Sequence, residues 1–353
     1  MNTTRREFLK LGLTLGAGAA LLPLLGCEAK AALHSRREYL FGTEVELAVE
    51  SASPREGEMA LSEVVERFTG MNRDWHAWKP GALSRLNARL AAGEMAEVDT
   101  ELASLIDGAR ALSARSGGLF NPALGELIAL WDFQSDTQTR RAPPEAAQIA
   151  ALCAHAPRMD ALHIEATADG ARIHSASPHV RLDFGGYAKG VALDRALDQF
   201  AGRGLGNAVV NLGGNLAVSG RRQGRPWRIG VRHPQGEGVI AALEVEGRAA
   251  VVTSGTYERY REWNGERYPH IIDPRTGYPA RHIASATVLH PEGGLADAAA
   301  TALVVAGPQD WPRIARAFGI REALVVDETG AVQLTPAMAR RAQVQEGVPV
   351  RVV

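Results

Sequence analysis

The sequence predicts an α+β fold, and three observations carry the prediction. Short β-rich runs dominate beyond Ala161, whereas most of the helical periodicity precedes it. Strands and helices interleave without the regular βαβ rhythm of a doubly wound sheet. No linker, repeat or low-complexity stretch divides residues 32–353, so they read as one compact domain with mixed sheets and packed helices. The 353 residues, 46% hydrophobic and 22% charged, are enough for a large core. A net charge of −1 supplies no global basic field for nucleic acid, which leaves only a local basic pocket as an anion site.

Residues 1–31 read as a leader. Thr3-Thr4-Arg5-Arg6-Glu7-Phe8-Leu9-Lys10 is a twin-arginine start, and the apolar stretch Leu11–Leu25 is too short and glycine-rich for a membrane span. The pattern resembles a Tat export signal. Leu24-Leu25-Gly26-Cys27 resembles a lipobox, which would acylate Cys27, and Ala29-Lys30-Ala31 fits an ordinary cleavage site. The expected location is periplasmic, soluble or as an inner- or outer-membrane lipoprotein, with a lipid anchor as the only membrane contact. Cys153, the other of two cysteines, lies in an Ala-rich helical stretch and reads as a small buried apolar residue.

Residues 32–37 read as a short linker. Tyr39–Glu50 reads as a strand, with Val45, Leu47 and Val49 alternating. Helices are expected from Pro54 to about Gly70, over Leu83–Leu90, from Thr100 to Ser116 ahead of Gly117-Gly118, and from Glu145 to Ala154 after Pro143-Pro144. Strands follow at 162–164, 171–174 and 180–183, then a helix over Lys189–Gly202. Further strands are expected at 208–212, 216–219, 227–231, 240–245, 249–253 and 284–289, with an Ala-rich helix over Leu295–Val305.

Five constellations can carry chemistry. Leu182-Asp183-Phe184-Gly185-Gly186-Tyr187-Ala188-Lys189-Gly190 turns a chain into a helix N-terminus, either an anion site with Lys189 beside it and Asp183 able to reach a polar ligand group, or an ordinary strand–turn–helix with a solvated lysine. Asn211-Leu212-Gly213-Gly214-Asn215 fits a hairpin and lacks the spacing of a dinucleotide fingerprint. Thr253-Ser254-Gly255-Thr256-Tyr257 is dense in hydroxyls without the G-x-S-x-G of a serine hydrolase. Tyr268-Pro269-His270-Ile271-Ile272-Asp273-Pro274-Arg275-Thr276-Gly277-Tyr278-Pro279 forces a defined loop, in which His270 is either a base or a structural histidine. Asp297 and Thr301 stand at i and i+4 on one helix face, as hard oxygen ligands for Mg²⁺ or as a helix cap with an incidental threonine.

In this order, together with Phe41-Gly42-Thr43, Leu83-Ser84-Arg85-Leu86-Asn87, Gly117-Gly118-Leu119-Phe120-Asn121-Pro122 and Trp131, the motifs resemble the ApbE-type FAD:protein FMN transferases over nearly all of residues 32–353. The resemblance implies a T-fold-like single domain. It also implies Mg²⁺-dependent transfer of FMN from FAD to a threonine of a target protein, releasing AMP. It places Mg²⁺ on Gly186, Asp297 and Thr301, with His270 as base and Asp273 orienting its loop. Phe41, Trp78, Leu119, Phe120, Asn121, Asp183, Lys189 and Ile272 would contact FAD. The chain departs from the family in carrying Asn121 for a usual Asp, Phe41 for a frequent Met, and Trp75–Gly81 for a Ser-Thr-Tyr-containing segment. Two other readings use the same pocket: an FAD pyrophosphatase, with water as acceptor, and a non-catalytic FAD-binding lipoprotein.

Overall fold

The computed structural model describes residues 31–134, 142–155 and 157–353. The expected leader, including Cys27, lies outside them except for Ala31. The chain begins with β1 (Ala32–Leu40), β2 (Thr43–Ser51), α1 (Pro54–Asp74), α2 (Ala82–Ala91), β3 (Ala96–Asp99), α3 (Thr100–Arg115), α4 (Gly125–Leu130) and α5 (Ala146–His155). It continues through β4 (Leu162–Thr167), β5 (Gly170–Ser175), α6 (Ala188–Gly202), β6 (Ala208–Leu212), β7 (Asn215–Ser219), β8 (Trp227–Arg232), β9 (Val239–Val245) and β10 (Ala249–Gly255). It ends with β11 (Tyr260–Trp263), β12 (Glu266–Pro269), β13 (Ile283–His290), α7 (Gly293–Ala317), β14 (Glu322–Asp327), β15 (Val332–Leu334), α8 (Pro336–Arg341), β16 (Gln343–Val344) and β17 (Val350–Val352).

A nine-stranded sheet, in the order β1-β2-β6-β7-β10-β13-β14-β15-β17, organises the molecule. Its pairs are antiparallel except the last, β15–β17. Period-two alternation serves two cores from one strand. In β10, Ala250 and Val252 join the main core with α1, α6 and α7, while Ala249 and Val251 face a second core against the β8–β9–β16 sheet. A third, smaller core around Trp131, Ile149 and Ile272 packs α4 and α5 against the 270s loop.

Four local expectations are corrected. Residues 32–37 belong to β1, paired along its whole length with β2. As an edge strand it keeps one face in solvent, so its polar alternation His34, Arg36, Glu38 resembles a linker. Residues 180–183 are extended but form no ladder. The Asn87 side chain takes the place of a neighbouring strand, accepting from Leu182 N–H at 2.8 Å and donating to the Leu182 carbonyl at 2.9 Å. The helix after Thr100 is capped one residue earlier, by Asp99, which accepts from Leu102 N–H at 2.8 Å. The helix expected over 295–305 runs over Gly293–Ala317, and its expected end falls near a kink at Gly307, φ 79°, followed by Pro308.

Candidate active site

The site forms where the first turns of α6 and α7 meet the end of β10. Gly190 permits the approach, because a Cβ there would stand 2.2 Å from the Gly293 carbonyl oxygen and 2.7 Å from Asp297 Cβ. Asp194, one turn further along α6, caps α7 by accepting from Gly293 and Gly294 N–H at 2.7 and 2.9 Å. Asp297 is therefore relieved of the capping role. It sits in the second turn, 2% exposed, accepting from Gly190 N–H at 2.9 Å and from the Asn215 amide at 3.2 Å. Burial pushes its carboxyl above the usual range, against the pull of Lys189 and these two donors.

No cationic side chain among the described residues forms an ion pair with Asp297, although a buried carboxylate ordinarily requires one. Thr301 Oγ1, one helical turn on, lies 3.1 Å from Ser254 Oγ. Gly186 abuts it closely enough that a Cβ there would stand 2.9 Å from Thr301 Oγ1. A carboxylate, a hydroxyl and the adjoining main chain form a hard-oxygen donor set, which fits Mg²⁺ better than a thiophilic metal. The second, third and fifth sequence constellations thus converge through Asn215, Ser254, Asp297 and Thr301.

The Gly185–Gly186 turn faces this wall. Lys189 Nζ donates to the Gly185 carbonyl at 3.2 Å. Asp183 accepts from Gly185 N–H at 2.8 Å and from the Trp78 indole at 2.7 Å. The Arg181 guanidinium covers one face of Trp78, 3.9 Å from the ring centroid, so that face is closed to a stacked ligand.

His270 enters from the loop after β12. The Arg259 carbonyl accepts from its backbone N–H at 3.1 Å and from Nδ1 at 3.0 Å. A carbonyl can only accept, so Nδ1 carries the proton and Nε2 is left with its lone pair. Burial, helped by the Arg259 and Lys189 charges, lowers the His270 pKa to about 3, so the ring is neutral at physiological pH. The Lys189 charge bears on both groups, lowering the pKa of His270 and opposing the rise at Asp297.

The loop is clamped. Arg275 donates to Asp273 at 2.7 Å and to the Val305 carbonyl of α7 at 2.9 Å. The Trp131 indole donates to the Gly277 carbonyl at 2.8 Å. Gly277, φ 74°, leaves no room for a side chain against Cys153 and Ile149. Cys153 thus packs as a small apolar residue, and burial raises its thiol pKa.

The other expected FAD contacts are less open. Leu119 and Phe120, 8% and 4% exposed, belong to the main core, and Ile272, at 7%, to the loop core. Phe41, at φ 54°, is held by its N–H donating to Asn72 at 3.0 Å and packs edge-on against Phe68. Asn121 accepts from Ala123 N–H at 3.1 Å and donates to the Pro157 carbonyl at 2.9 Å. A carboxylate could not make the second bond, so the asparagine staples two loops at a position where an aspartate could not. Sequence reasoning missed Asn87, Arg181 and Arg259. Asn87 stood inside a quoted motif without a role, and an isolated arginine carries no motif signal.

A buried carboxylate and hydroxyl on one wall, a lysine-bearing glycine turn and a neutral imidazole opposite define an α+β enzyme of phosphate-ester chemistry. A model of the ApbE family matches residues 41–325, and the chain belongs to that family. An FAD:protein FMN transferase of Rhodobacter capsulatus is 43% identical over 357 residues, covering 99% of this chain, and the chain spans 66% of that relative's length. One from Treponema pallidum is 33% identical, covering 90% of this chain and 91% of its own. Among solved structures, the ApbE protein of Thermotoga maritima superposes with a TM-score of 0.80 at 31% identity, over 88% of this chain and 100% of that one. The flavin transferase ApbE of Vibrio cholerae gives 0.75 at 26% identity, over 88% and 99%.

Proposed function

We propose that this chain transfers FMN from FAD to a threonine hydroxyl of a target protein, releasing AMP, with Mg²⁺ held by Asp297, Thr301 and the Gly186 carbonyl. The observation that carries the metal assignment is Asp297: a buried carboxylate with neutral donors, no cationic partner among the described residues, and a hydroxyl one turn away. When bound, Mg²⁺ neutralises diphosphate charge and polarises the phosphoryl oxygens.

The chain's own groups do the rest. Lys189 meets the diphosphate at the Gly185–Gly186 turn. His270 Nε2 accepts the proton of the acceptor hydroxyl, whose oxygen bonds to the FMN-side phosphorus. The bridging P–O bond breaks and its electron pair leaves on AMP. Burial is the main cause of the lowered His270 basicity, and an anion beside Lys189 and Arg259 offsets the lesser part that their charges contribute. Phe41, Asp183 and Trp78 contact FAD, while Leu119, Phe120, Asn121 and Ile272 shape the pocket from behind.

The twin-arginine leader and Cys27 support export and a lipid anchor at a periplasmic membrane face. Incubation of the chain with FAD, Mg²⁺ and a flavinylatable acceptor domain tests the reading. A covalently fluorescent acceptor is expected. FMN and AMP with an unlabelled acceptor would establish a pyrophosphatase, and FAD retained intact a binding protein.

A further inference from the structure

Arg259 lies between β10 and β11, outside the FAD contacts and metal ligands assigned above. Its side chain is exposed and makes no hydrogen bond or ion pair among the described residues. Its neighbours differ. Arg232 pairs with Glu258, Arg267 with Glu262, and Arg281 with Glu266, so the surrounding basic chains are matched by carboxylates while this one is not. Its guanidinium reaches the glycine turn: Nη2 lies 4.0 Å from the point where a Cβ on Gly185 would project. Lys189 reaches the carbonyl of that same residue. Two cations thus converge on Gly185, next to the Gly186–Thr301 contact. The main-chain carbonyl of Arg259 also holds both N–H groups of His270.

We propose that Arg259 is a phosphate-binding residue of the FAD site, gripping the diphosphate with Lys189 across the glycine turn while its carbonyl fixes the orientation of His270. The proposal rests on the flavin-transferase reading and adds a group to it. A planar guanidinium suits a diphosphate because it can give parallel hydrogen bonds to two oxygens, whereas an ammonium acts as a point charge. The arrangement also ties binding to chemistry. The residue that grips the substrate is the residue whose backbone aims the base, and its charge is one of those that an arriving anion would offset at His270.

Side-chain substitution leaves the carbonyl in place, so the two roles separate. The test is a charge series, Arg259→Lys, Arg259→Gln and Arg259→Glu, in the full chain with Mg²⁺. FAD affinity is read by quenching of flavin fluorescence and folding by Tm. FAD affinity is expected to fall in the order Arg, Lys, Gln, Glu, with the Gln variant about 10- to 100-fold weaker than wild type and Tm unchanged. Equal FAD affinity in the wild type and the Gln and Glu variants would overturn the proposal alone. So would a loss of affinity that follows a loss of Tm instead of charge. A wild-type chain that binds no FAD would overturn both the proposal and the transferase reading.

Discussion

On the α6–α7 side of the site, Asp297 is 2% exposed and both its oxygens are bonded to groups on regular elements or their ends. On the loop side, His270 hangs from a single carbonyl between β10 and β11, and the exposed Arg259 side chain has no partner among the described residues. The first wall holds a buried carboxyl that no cationic side chain among the described residues pairs with. The second sets an exposed Arg259 beside a His270 ring whose surroundings desolvate it. Buried, preorganised donors suit a permanent metal role, because they need no reorganisation when substrate arrives. A loop suits a group that must meet a changing partner.

The sharpest way to break the comparison is Asp297→Ala. Transfer should fall by about a thousandfold, read as label on the acceptor, because the variant lacks the anionic ligand that the proposed Mg²⁺ site needs for charge neutralisation. His270→Ala should cost about 10²- to 10⁴-fold in transfer, with FAD binding largely retained, since the loop group acts on the acceptor proton. If the two variants lost FAD binding equally, the division between the walls would be wrong. Arg275→Ala frees the loop from Asp273 and Val305, and it should lower Tm by about 2 °C and reduce transfer less than the His270 change does.

The remaining expected effect is confined to stability and is a dependence on pH. His270 is held neutral in the fold, with its pKa lowered to about 3 from 6.5. The unfolded chain binds a proton there that the folded chain refuses. This contribution is therefore fully present above pH 6.5 and is lost as pH falls from 6.5 toward 3. Melting curves between pH 8 and pH 5 should fall more steeply for the wild type than for His270→Asn.

The juxtaposition of Asp297, Thr301 and the glycine turn was largely legible in the sequence, because the first two announce themselves by helical spacing and the turn by its composition. Capping was the weak point of that reading. Asp194 takes the role that a helix-start aspartate suggested for Asp297, and only the crossing of α6 and α7 reveals the exchange. β1 was hidden because a half-solvated edge strand lacks apolar alternation, and 180–183 misled because Asn87 supplies bonds that a strand would. Arg259 was invisible for a different reason. Its role depends on a long-range approach to Gly185, and no local pattern encodes that.

The most direct test of the central claim is the intact mass of an acceptor domain incubated with the chain, FAD and Mg²⁺. A mass increase of one FMN, localised to a threonine and absent with Asp297→Ala, is the predicted result. FMN and AMP accumulating beside an acceptor of unchanged mass would contradict it.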